Sequence, residues 1–288
     1  MSTVRSLYNY IFNSTEEKYM SHPFGVSIIS TAGLVGLIDF FFRRGGVYRA
    51  VVKANVYTFG IQLMPLSTLW LSRARFEKLL YSMKELGANV LSYENRWGGD
   101  DPYHSWKKDL PDGKFSAMLA YCLLFPLRYR EVEARLALIR KYFPNAIAVD
   151  LPKGLWELSL HNNSIEGWVM YLHTPEALFT GIVLDTFHLM ELSEDEIGFG
   201  IIDTMLAKIA ECQVPIKLLQ VQFRDSTELS EFLSQQHCAT SHILVEIRKK
   251  KLLADGVPII IELTPNIATK ENLTRIRKEI TALLKPDS

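Results

Sequence analysis

Apolar positions along the chain fall into eight short blocks: Gly25–Ser30, Gly60–Pro65, Ala88–Glu94, Ala146–Leu151, Trp156–Asn162, Gly181–Phe187, Ile216–Phe223 and Val257–Thr264. Most are nearly unbroken runs, the pattern of strands covered on both faces, as in a parallel sheet. Between them the period changes to that of amphipathic helices. Phe76, Leu79, Leu80, Met83 and Leu86 follow i, i+3, i+4 spacing, and Gly87 supplies the stop. Residues 128–142 place Val132, Leu136 and Ile139 on one face before Pro144. Ser193 and Glu196 have capping-box spacing ahead of Ile201, Ile202, Met205, Leu206 and Ile209, although Gly198 and Gly200 weaken a helix there. Residues 227–236 and 241–253 predict one or two helices. A last helix over 269–284 buries Leu273, Ile276, Ile280 and Leu283.

Repeated β-then-α units with eight strands predict an α/β fold of the (β/α)8 TIM-barrel type. No glycine-rich phosphate loop follows the first strand, which argues against a dinucleotide-binding or P-loop sheet. The order is uneven. Asp150 and Trp156 stand too close for a helical crossover, so one βα unit is expected to be shortened or irregular. Residues 115–125 form a ninth apolar run that reads as either strand or helix. Residues 98–114 are rich in turn formers and read as a surface loop at the barrel mouth, and 1–24 as an N-terminal extension. No Pro/Gly/Ser linker divides residues 1–288, so a single domain is expected.

Composition narrows the partners. Lys plus Arg and Asp plus Glu both number 32, and this zero net charge argues against a protein that coats nucleic acid. The basic run Arg248–Lys251 reads as a solvated helix face. Three cysteines, Cys122, Cys212 and Cys238, with no CxxC or Cys/His zinc spacing, argue against a disulfide scaffold and for a reducing cytoplasm. Met1–Met20 lacks the apolar core of a signal peptide. Val26–Ile38 runs 13 residues without a charge, short of the ~18–20 needed to span a bilayer. It reads as a buried strand and a core helix, with no membrane span. Oligomeric state is left open.

Chemistry in such a barrel collects where the strands end. The third strand carries Glu94 and the fourth ends at Asp150. The fifth ends with His161, Asn162 and Asn163, and the sixth carries Asp185 and, beyond it, His188. The seventh ends with Gln222, Arg224 and Asp225, and the eighth with Glu262 and Thr264. Asp185 and Glu262 each interrupt an apolar run, and a buried carboxylate requires a cation, a metal or hydrogen bonds. Carboxylates beside imidazoles suit a divalent Mn, Mg, Zn or Co ion, which polarises sugar oxygens or activates water. The alternative reading is structural: either acid can cap a helix or pair with Arg224. His22, His104, His173, His237 and His242 show no paired spacing and read as surface or loop residues.

These strand ends carry a resemblance. GIVLDTFHL (181–189) resembles the sixth-strand D-x-x-H motif of the xylose isomerase-like TIM-barrel superfamily, and VPIIIELTP (257–265) its eighth-strand E-T-P-like motif. LQVQFRD (219–225) is similar to the seventh-strand H-x-x-D segment and LSLHNN (158–163) to the fifth-strand L-E-N segment. The resemblance covers mainly residues 156–284. It implies a divergent metal-dependent sugar or sugar-phosphate isomerase or epimerase, with its site at the strand C-termini. It assigns Asp185, Glu262, His161 and Gln222 to the metal. Glu262 and His188 take catalytic roles, and Asn162, Arg224 and Asp225 the substrate. Two positions depart from the pattern, with His161 at the fifth-strand glutamate and Gln222 at the seventh-strand histidine. They leave open a barrel that binds without catalysis. A phosphodiesterase of the AP-endonuclease kind needs further early-strand histidines, which Gly60–Pro65 and Ala88–Glu94 lack.

Overall fold

The computed structural model describes residues 22–27, 60–63, 72–85, 87–94, 131–149, 154–157, 179–191, 199–223, 225–263 and 267–285. Eight strands, β1 (Phe24–Ser27), β2 (Gly60–Leu63), β3 (Val90–Glu94), β4 (Ile147–Val149), β5 (Trp156–Glu157), β6 (Ile182–Asp185), β7 (Ile216–Gln222) and β8 (Ile259–Glu262), form one sheet in the order β4-β3-β2-β1-β8-β7-β6-β5. Every pair is parallel. A parallel bridge between Val149 and Leu155 joins the two outer strands and closes the circuit. Followed once round through Ser27–Gln62, Gln62–Ser92, Ser92–Ile147, Val149–Leu155, Trp156–Ile182, Val183–Leu218, Leu219–Ile259 and Ile259–Phe24, the registers return to β1 displaced by eight residues. Eight strands with a shear of eight define the (β/α)8 barrel.

The expected irregular unit lies at the closure. Only residues 150–154 separate Val149 from Leu155, and the Leu155 N–H donates to the Ala148 carbonyl at 2.7 Å. The chain approaches so closely because residue 154 is glycine: a methyl group there would overlap the Ala148 carbonyl oxygen.

Outward residues such as Val26, Ile61, Leu184, Val221 and Ile261 pack beneath the helices α1 (Arg73–Glu85), α2 (131–142), α3 (Thr186–Glu191), α4 (Gly200–Glu211), α5 (Ser226–Leu233), α6 (Ala239–Lys249) and α7 (Lys270–Leu284). The i, i+3, i+4 faces read from the sequence are the buried ones: Phe76, Leu80 and Met83 on α1, and Leu273, Ile276 and Ile280 on α7. Each such side chain contributes about 1.5–3 kcal/mol by leaving water. Gly87 ends α1 with φ 77°, and Thr269 caps α7 by accepting from Asn272 N–H. Two expectations change. Helix α4 begins at Gly200 with Phe199 as its N-cap, so Ser193 and Glu196 do not cap it. Residues 241–253 end as a helix at Lys249, Lys251 takes φ 53°, and Leu253 pairs with Ile216. No described helix is long and apolar enough to cross a membrane. Residues 98–125 and most of 26–38 lie outside the described residues.

Inside the barrel, Leu91, Val149, Leu155, Val183, Leu218 and Ile260 form a separate apolar plug. The register between β2 and β3 slips by one residue at Leu91, and this bulge turns Leu91 inward over Gly25 and Gly60. A methyl group on Gly60 would overlap Leu91 Cγ, and one on Gly25 would come within 2.8 Å of Leu91 Cδ1. Between α1 and α2, Arg135 is 2% exposed, bonds Glu131 at 3.0 Å and lies over the Phe76 ring. A hydrogen bond from Arg73, joined by the charge of Arg135, holds the Glu131 carboxyl below the usual carboxylate range.

Gly60→Ala should lower stability by about 1–3 kcal/mol through overpacking, and in a Leu91→Ala background the same change should cost nothing. Gly154→Ala should cost at least as much, with no side-chain truncation restoring it, because the obstacle is backbone. Denaturant midpoints of the single and double variants decide both; additive Gly60 and Leu91 effects would contradict the overlap. Glu131→Gln should lower the midpoint at neutral pH. Because the folded carboxyl titrates below its unfolded value, its contribution is present above the carboxylate range and lost on acidification. The difference between variant and parent should therefore fade as pH falls.

Candidate active site at the strand C-termini

Among the described residues, the inward faces of β1, β2, β6, β7 and β8 turn polar toward the strand C-termini. Val183 is followed by Asp185 and Ile260 by Glu262. Leu218 is followed by Gln220 and Gln222, Gly60 by Gln62, and Gly25 by Ser27. On β3 the bulge leaves Ser92 and Glu94 inward. Since every strand is parallel, these residues gather at one rim. Asp185 is 2% exposed, Glu262 5% and Glu94 0%, so three carboxylates are withdrawn from water in the upper barrel.

Asp185 and Glu262 stand on β6 and β8, with β7 between them. Gln220 pairs in register with Asp185, and Gln222 with Glu262. Alternate strands supply the same interior layer of such a barrel, so the two acids singled out in the sequence share one wall. Asp185 Oδ1 accepts from the Phe187 N–H at 2.7 Å, which turns the chain directly into α3. His188 therefore sits in the first turn after the strand, half-buried, its ring edge-on to Phe187 at 5.9 Å. Thr186 locks this corner. Its hydroxyl donates to the Gln222 carbonyl at 2.8 Å and accepts from the Gln222 N–H at 3.0 Å. The end of β7 is thereby tied to the end of β6.

Asp225 has a structural task. It is the N-cap of α5, accepting from Thr227 and Glu228 N–H at 2.8 and 2.9 Å. His161, Asn162, Arg224, Asp150 and Thr264 lie outside the described residues. Among the described residues, no three His, Cys, Asp or Glu side chains are grouped to hold a metal ion. Oxygen donors from Asp185, Glu262 and Gln222 suit a hard cation, and His161 would have to complete the set.

Glu94 has no assigned role in the sequence reading. Its Oε2 accepts from Gln62 Nε2 on β2 at 2.5 Å and from Gln220 Nε2 on β7 at 2.6 Å, so it links strands on opposite walls. The available signal was the one used for Asp185, an acid closing a largely apolar strand. Without the bulge at Leu91, alternation gave no reason to place it inward.

The histidines outside the rim are also more organised than expected. His242, on α6, bonds Asp203 at 2.7 Å and stacks on Phe199 at 4.3 Å, with His237 edge-on to both. His22 lies 3.0 Å from the Val257 carbonyl. Cys212 and Cys238 are free thiols, and burial pushes Cys238 up, which keeps it neutral and unreactive.

No protein-family model matches the chain, and no curated protein matches it. Among solved structures, it is similar to D-psicose 3-epimerase from Clostridium cellulolyticum H10, at 12% identity and a TM-score of 0.42 over 91% of this chain and 96% of that one. It is also similar to a xylose isomerase domain protein from Planctomyces limnophilus, at 10% identity and a TM-score of 0.44 over 92% and 96%.

Thr186→Val should cost about 1–3 kcal/mol, because it strands a buried N–H and carbonyl at nearly constant volume. Denaturation and amide exchange at Gln222 test this, with faster exchange expected there. An unchanged Gln222 amide would show that the corner is held by other means.

Proposed function

We propose that the chain is a metal-dependent isomerase or epimerase of a sugar or sugar phosphate, acting at the C-terminal rim of the barrel. The observation that carries this reading is positional. Asp185 closes β6 and Glu262 closes β8 of a closed eight-stranded barrel, both acids inward and buried above an apolar plug. These are the strands the resemblance assigned to them.

Asp185 and Glu262, with His161 and the Gln222 carbonyl, would hold a divalent Mn, Zn, Co or Mg ion. Such an ion, when bound, polarises the carbonyl and hydroxyl oxygens of a sugar. In the isomerase reaction Glu262 takes the proton from the hydroxyl-bearing carbon beside the substrate carbonyl and returns it to the former carbonyl carbon, while the hydroxyl proton passes to the former carbonyl oxygen. His188 binds a substrate oxygen from the first turn of α3, and Asn162, Arg224 and Asp225 are assigned to the substrate with it. The apolar plug excludes water from below. Asp225 contributes by fixing the start of α5.

A second reading, a barrel that binds without catalysis, is favoured by His161 at the fifth-strand glutamate position and Gln222 at the seventh-strand histidine position.

Proton exchange separates the two without knowledge of the product. Aldoses and ketoses of five and six carbons, and their phosphates, should exchange the hydrogen beside the carbonyl with D2O in the presence of Mn, Mg, Zn or Co. Asp185→Ala and Glu262→Gln should each slow exchange by about 10²–10⁴-fold. Absence of both exchange and stoichiometric metal would rule the isomerase out in favour of the binding barrel.

A further inference from the structure

The interior layer holds more acceptors than its own donors satisfy. A carboxylate only accepts, so Gln62 and Gln220 must both turn their NH2 groups toward Glu94 Oε2, as they do at 2.5 and 2.6 Å. That fixes the other half of each amide. Gln62 Oε1 and Gln220 Oε1 face away from Glu94 and are fully buried. Among the described residues, neither meets a donor. Ser27 Oγ, on β1 beside Gln62 in register, is likewise buried and without a hydrogen-bond partner among the described residues, as is Ser92 Oγ on β3 at the other side of Gln62. Folded interiors pair nearly all such groups, and clustered exceptions mark places where something else supplies the bond.

The chemistry of the two amides and Ser27 selects what that is. The two amide oxygens need donors. The Ser27 hydroxyl offers a proton and also needs an acceptor. A metal ion or an ammonium group would serve the oxygens and leave the Ser27 proton unanswered. A hydroxyl group both donates and accepts, so it meets all three. The residues stand on β1, β2 and β7, and the two amides converge on one Glu94 oxygen, so the unpaired groups belong to one part of the interior.

We propose that Ser27, Gln62 and Gln220, oriented by Glu94, form a subsite that reads the hydroxyl groups of a polyol chain. Gln62 and Gln220 bind through their carbonyl oxygens, and Glu94 is a positioning residue that sets which way the amides face. The subsite lies inside the barrel beside Asp185, so it would hold the unreacting part of the molecule whose carbonyl end meets Asp185 and Glu262. This rests on the sugar reading for the ligand's class, but binding here requires no turnover.

Alditols test it, because they carry the hydroxyls and have no carbonyl to isomerise. Xylitol, ribitol, D-arabinitol and D-glucitol should bind the full-length protein by calorimetry and raise its thermal midpoint. Gln62→Met and Gln220→Met should weaken binding about tenfold or more. Ser27→Ala leaves both donors to Glu94 in place and should weaken it similarly, so it decides the matter if a glutamine variant does not fold. Binding that is undiminished in Ser27→Ala, or absent for every alditol in the parent protein, overturns the subsite. Stabilisation by potassium, magnesium or calcium chloride without any alditol effect overturns it in favour of a cation. Alditol binding with no D2O exchange on any sugar would leave the subsite standing and remove the isomerase.

Discussion

Closure of the barrel rests on one close approach. Eight parallel strands of two to seven residues, β5 the shortest, have little edge area to spare. The circuit is completed where Leu155 donates to Ala148 across a five-residue turn. Any side chain at Gly154 would collide with that carbonyl. An open sheet would leave β4 and β5 as unpaired edges, and the inward faces of β3, β6, β7 and β8 would no longer look at one another. The polar rim exists because the sheet closes.

Closure sets the second constraint. A barrel of this size has an interior that side chains must fill. Below, six apolar residues fill it, with glycines on β1 and β2 yielding space to Leu91. Above, the same strands change to Ser27, Gln62, Glu94, Asp185, Gln220 and Glu262. Carboxylates tolerate such a place only with hydrogen bonds at hand. The glutamines around Glu94 and the Phe187 amide on Asp185 supply part of that requirement. The site is thus a polar lid on an apolar column, and its chemistry takes place in a low-dielectric setting where each acid and each hydrogen bond counts for more than in water.

The corner after β6 shows how fold and site share residues. Asp185 is at once a rim carboxylate and the cap that starts α3, and Thr186 ties β6 to β7 through both polar atoms of Gln222. By contrast, Asp225 caps its helix through Oδ1, and the buried Glu228 in the first turn accepts from Thr240 N–H and Oγ to join α5 to α6. Acids of similar appearance in the sequence divide into rim and scaffold according to whether the strand continues to them or has already ended.

Local pattern was enough for much of this. Short, mostly unbroken apolar runs marked the eight strands, and the short interval between Asp150 and Trp156 marked the irregular unit. The interruptions at Asp185 and Glu262 marked two inward acids, because an acid inside an apolar run is conspicuous whatever surrounds it. Other features depended on groups distant in the chain. The inward turn of Glu94 follows from a one-residue slip against β2, and its partners come from residues 62 and 220. The pairing of His242 with Asp203 likewise needs two helices packed side by side. Periodicity reports which way a side chain faces relative to its neighbours in sequence. Register, closure and the partner across a barrel are properties of strands brought together, and only the folded chain decides them.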